Sequence, residues 1–237
     1  MSERASPDPE LKEKLKQARV KLLFMYPFFG YLVTNLEDRI GERPAIQTAG
    51  TDGAVIHWNA SFVARASGDD VMFVLAHEAL HCALQHLWRR AGREERRWNV
   101  ACDACVNEML VQAGLRYSMP FVKGANGRSA EEVYEDVAGL LRANAPQDTI
   151  DDHSGWGEAK PGDTRERDKA DAWKAALVQA RSFGKAPAAL SRHIDNLLYP
   201  KRDWRDLLRE GLYFPEDYRW TPTDRRFADV LLPIAPF

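Results

Sequence analysis

The stretch Val71 to Leu84, VMFVLAHEALHCAL, is apolar except where it carries His77, Glu78 and His81 in H-E-x-x-H spacing. No charged residue other than Glu78 lies between Val71 and Leu87. A buried helix does not carry three ionisable groups on neighbouring faces unless something satisfies them. On a helix, residues four apart sit roughly 40° apart on one face. The two imidazoles can therefore reach one metal ion, and Glu78 points at its open side. Zinc prefers this set of ligand types, and a glutamate beside it can take a proton from water. The plain alternative is two core histidines and a stray glutamate.

A site of this kind needs three protein ligands. An H-E-x-x-H-x-x-G-x-x-H pattern would place glycine at 84 and histidine at 87, but Leu84 and Leu87 stand there. His86 is roughly 140° from His81 and 180° from His77 on a continuing helix, so it should face away. The third ligand is expected from a second central helix, Trp98 to Ala113. There Asn99, Asp103 and Asn107 recur every four residues among Val100, Cys102, Ala104, Cys105 and Leu110. A carboxylate in the middle of such a stripe needs a partner, and a metal is a good one. Asn99 and Asn107 are expected to hold Asp103 in place. Glu108 competes, but lies about 140° from Asp103, so both cannot ligate. Asp103 is favoured over Glu108; a solvated helix face is the plain alternative.

His153 lies in the polar segment Asp151-Asp152-His153-Ser154-Gly155-Trp156. It is either a contact to the oxyanion of an acyl-transfer intermediate or a solvated loop histidine. His57 and His193 read as structural or exposed. Cys102 and Cys105 form a C-x-x-C pair without the βαβ pattern of a redox domain, so small buried thiols are expected.

The 237 residues carry a net charge of −2, with 45% hydrophobic and 29% charged residues. That balance describes a globular protein with no basic field for nucleic acid. Three cysteines, an odd number, suit a reducing cytoplasm better than a disulfide framework. The apolar stretch Leu22 to Val33 is too short to span a bilayer, so no membrane partner is expected.

Helices are expected near Asp8 to Tyr26, from Pro27 to Leu36, over Asp70 to Arg90, Trp98 to Ala113 and Ser129 to Arg142, with a short helix or bend over Asn59 to Arg65. Three more are expected from Arg165 to Phe183, Pro187 to Leu198 and Asp203 to Leu212. A β-hairpin is expected within Glu42 to Asn59, with Ala45 to Thr48 as its first strand and its turn at Gly50-Thr51-Asp52-Gly53. The strand Ala54 to Asn59 is expected to run along the cleft and pair with an extended substrate. This is an α+β chain, mostly helical, with a small sheet before the H-E-x-x-H helix.

Thr51-Asp52-Gly53, His77-Glu78-Ala79-Leu80-His81 and the segment from Trp98 to Asn107 together resemble a metallopeptidase domain that precedes a von Willebrand factor A-like domain in bacterial proteins. The likeness extends through Asp152 to Trp156 and into Tyr218 to Phe227. It implies a zincin-like fold with His77, His81 and Asp103 as zinc ligands and Glu78 as base. Residues 1–212 are then the metallopeptidase domain. The irregular, proline-bearing residues 213–237 are expected to lead toward a von Willebrand factor A-like partner. The expected activity is zinc-dependent hydrolysis of peptide bonds in a protein or peptide substrate, with Glu78 and His153 as catalytic residues. The rival is a zinc-bound interaction module without turnover. An RNA-cleaving metal enzyme is a third option, disfavoured by the charge.

Overall fold

The computed structural model describes residues 9–41, 46–137 and 164–198. These fall in one unit of the chain, residues 1–198. His153, the expected helix at Asp203 to Leu212 and the tail 213–237 lie outside the described residues. The described part is mostly helical with a three-stranded sheet, as an α+β chain should be.

Helix α1 is Pro9–Met25 and α2 is Pro27–Val33. Pro27 restarts the helix because an initial position has no intrahelical N–H bond to lose. The two pack closely: a Cβ on Gly30 would collide with the Leu23 backbone. The strands are β1 Glu37–Gly41, β2 Ala49–Thr51 and β3 Val55–Asn59, in spatial order β1-β3-β2. β1 runs parallel to β3, and β2 runs antiparallel to it.

The Asp-Gly turn forms, but later than expected. Gly50 and Thr51 are strand residues, and the chain turns over Asp52 to Ala54. The Asp52 carboxylate accepts from the N–H of Ala54 and of Val55, both at 2.9 Å, and Gly53 adopts φ +87°. β1 has no signature in the sequence, because Glu37, Asp38 and Arg39 give it no apolar alternation. Tertiary contacts hold it: Arg19 grips the Asp38 carboxylate at 2.6 and 2.8 Å, and Trp58 Nε1 donates to the same group at 2.8 Å. The strand is thereby placed on one side of β3 with β2 on the other. β3 has no open edge, so the expected pairing of Ala54 to Asn59 with a substrate strand is ruled out.

Helix α3 is Ala60–Arg65, α4 Gly68–Ala83, α5 Glu95–Gln112 and α6 Ala130–Glu135. Helices α7, Thr164–Phe183, and α8, Ala188–Leu198, complete the described elements. Every residue of α4 from Asp70 to Ala83 is buried. α1, α2, α5, α7 and β2 all pack on it. This central position is why its sequence from Val71 on is apolar outside His77, Glu78 and His81.

α4 ends seven residues before the expected Arg90. Leu84 caps it, and Gln85 takes the left-handed conformation at φ +63°. The Gln85 N–H bonds the Cys82 carbonyl at 3.0 Å and the His86 N–H bonds the His81 carbonyl at 2.9 Å, a Schellman turn. A residue other than glycine there costs about 1–3 kcal/mol. The Gln85 side chain is anchored by a 3.0 Å bond from Nε2 to the Ala170 carbonyl of α7. Among the described residues, no helix is long and apolar enough to cross a membrane.

Candidate metal centre

Helices α4 and α5 supply the site. His77 and His81, one turn apart on α4, present their Nε2 atoms to each other at 2.9 Å. Asp103, on α5, places Oδ1 at 3.7 Å from His77 Nε2 and 3.4 Å from His81 Nε2. The ligand atoms of all three lie within 4.8 Å of one another, and each residue is 0% exposed. Two imidazole nitrogens facing a buried carboxylate suit a shared cation, either a proton or a metal ion. Tetrahedral zinc, with bonds near 2.0–2.1 Å, sets its ligand atoms about 3.3–3.4 Å apart. The observed separations bracket that spacing, so these residues fit a three-ligand site.

Glu78 is also 0% exposed. It shares a face of α4 with Cys82, one turn on. Burial first, and then the Glu78 charge, push the Cys82 thiol well above its usual value. Burial raises Cys102 in the same direction and takes Cys105 up to about 12. All three cysteines are free and buried, as the C-x-x-C spacing without a redox fold suggested.

The competitor Glu108 does other work. Its carboxylate accepts from the N–H of Asn126 at 2.6 Å and of Gly127 at 2.8 Å, tying the loop before α6 to α5. The two asparagines do not hold Asp103 as expected. Asn107 turns its amide nitrogen to the Val122 carbonyl at 3.2 Å. Among the described residues, neither Asn99 nor Asn107 hydrogen-bonds Asp103. Spacing put the three residues on one face, but the amide dipole follows the nearest carbonyl.

His86 does not face away. The turn after α4 brings it back, 2% exposed, with its Nδ1 3.3 Å from His81 Nδ1. No glycine, asparagine or proline stands between Leu84 and Arg90 to signal this turn, so the sequence reads as continuing helix. His57 lies 3.7 Å from the Asp52 carboxylate, away from the buried Ile56 and Trp58. His193 lines a surface groove with Ser129, Glu132 and Arg192. Burial and the neighbouring Arg192 lower its pKa.

No curated protein and no solved structure matches the chain. A family model does match, over residues 10–229, and it takes in both helices of the site. The chain belongs to the family described as "Putative metallopeptidase domain".

Proposed function

We propose that the chain is a zinc-dependent metallopeptidase of zincin-like fold that hydrolyses peptide bonds in a protein or peptide substrate. The reading is carried by one observation: His77, His81 and Asp103 converge, buried, on two packed helices, one of which also bears Glu78. Zn²⁺ held by these three would supply Lewis acidity toward a substrate carbonyl and make water a stronger acid. Glu78 takes the proton of the attacking water and returns it to the leaving amine. His77 and His81 act as neutral donors, and Asp103 contributes the one negative charge. His153 is the candidate contact to the developing oxyanion. A von Willebrand factor A-like domain is the candidate partner, and three buried free thiols suit a reducing compartment such as the cytoplasm.

The complete burial of all four residues favours a second reading, a zinc-bound interaction module without turnover. Glu78 separates the two, because a site that only supports structure has no use for a base. Glu78→Gln is expected to keep its zinc and to lose about 10²–10⁴ in rate. Elemental analysis of the purified protein and a proteome-wide comparison of cleavage products check both halves. Identical cleavage profiles for the two proteins leave the second reading in place. An absence of zinc from wild type purified without chelator sinks both.

A further inference from the structure

The turn that ends α4 places a second histidine behind a proposed ligand. His81 directs Nε2 toward His77 and Asp103, so its Nδ1 points out of the site, and there it meets His86 Nδ1 at 3.3 Å. The two rings meet nearly edge to face, with centroids 5.1 Å apart and planes at 73°. His86 is clamped from the other side as well. Its carbonyl accepts from Trp98 Nε1 at 3.0 Å, its ring lies edge-on to that indole, and its N–H bonds the His81 carbonyl. The Schellman turn through Gln85 sets this whole arrangement.

We infer that His86 is a positioning residue: its Nδ1 accepts a hydrogen bond from His81 Nδ1–H and so holds His81 with a free lone pair on Nε2 for the metal. The chemistry permits one sense only if His81 is a ligand. A neutral imidazole carries one N–H. If Nε2 binds the ion, Nδ1 bears the hydrogen, and an N–H that is 0% exposed needs an acceptor at hand. His86 in its Nε2–H form offers that acceptor. The opposite sense, His86 donating, would put the hydrogen of His81 on Nε2 and disable it as a ligand. Ligand histidines usually take a carboxylate or a carbonyl in this role; here a second imidazole, delivered by a strained turn, takes it.

The inference rests on the metal-centre reading given above, and the test separates the two. His86→Phe keeps a ring against Trp98 but removes the acceptor. His86→Asn puts Oδ1 where Nδ1 stood. Zinc affinity is measured by competition with a chromophoric chelator, and the Co²⁺ absorption bands are recorded for each folded protein. His86→Phe is expected to bind zinc about 10–100-fold more weakly, with altered Co²⁺ bands, and His86→Asn to recover most of the affinity. Equal affinity in His86→Phe and wild type overturns the inference alone. Equal loss in both variants overturns it too, by showing that packing is the whole effect. Wild type that takes up neither ion overturns the metal centre and the inference with it. Should His86→Phe fail to fold, nitrogen-15 shifts of the zinc-loaded wild type still decide. His81 should be protonated at Nδ1 and His86 at Nε2; the reverse at His86 refutes the hydrogen bond.

Discussion

At the scale of single residues, two carboxylates on α5 illustrate how similar side chains acquire different work. Asp103 faces the paired imidazoles from a position with no exposed surface, whereas Glu108 collects two backbone N–H groups from a loop. Their substitution should therefore separate cleanly. Asp103→Ala is expected to weaken zinc binding by more than the 10–100-fold or so that a supporting residue costs. Glu108→Ala is expected to leave zinc affinity alone and to lower stability by about 0.5–1.5 kcal/mol, the scale of a typical net hydrogen bond. Zinc titration and urea unfolding of both variants provide the comparison. A reversed ranking in zinc affinity would move the ligand role to Glu108.

At the scale of elements, α4 owes its placement to its first turn. Ser67 and Asp70 form a reciprocal cap, and the Asp70 carboxylate also accepts from the Ser118 N–H at 2.7 Å and from its hydroxyl. This one carboxylate joins the start of the site helix to the segment after α5. Burial pushes its pKa up, but the bonds from Ser67 and Ser118 outweigh that and hold it below the ordinary 3.8. A carboxyl depressed on folding stabilises the native state above its unfolded value, and that contribution fades as pH falls through the lower folded value. Unfolding of wild type should therefore grow easier as pH drops below 3.8, and Asp70→Asn should be less stable at neutral pH with a flatter acid limb. Thermal unfolding across that range checks it. Parallel acid limbs in the two proteins would remove Asp70 as a cause.

For the molecule as a whole, the candidate centre sits between α4 and α5, so an ion held there would tie the two buried helices together. A ligand that binds only the native state stabilises it by mass action, by about 2.7 kcal/mol at a free concentration one hundred times Kd. Each kcal/mol is worth about 2–4 °C in Tm for a chain of this length. Chelator-stripped protein should thus melt several degrees lower than zinc-loaded protein, and added zinc should restore the difference. The His77→Ala, His81→Ala double variant should show no response. A response in that variant equal to wild type would place the ion elsewhere.

Features set by local geometry are legible in the sequence of this protein. Helical spacing puts His77 and His81 on one face whatever surrounds them, and an apolar helix interrupted by Asp103 demands a partner for that carboxylate. Those features depend on neighbours within two turns, and they are legible without a structure. The end of α4 is not, because its turn is made with Gln85 where a glycine would have announced it, and the anchor that tolerates Gln85 is a carbonyl of α7 far along the chain. The charged strand β1 is likewise invisible: it exists because β3 had an open edge and because Arg19 and Trp58 held Asp38 beside it. Sequence determined which residues are able to meet an ion. Tertiary structure alone decided what stands behind them, because hydrogen bonds between segments remote in sequence leave no periodic trace.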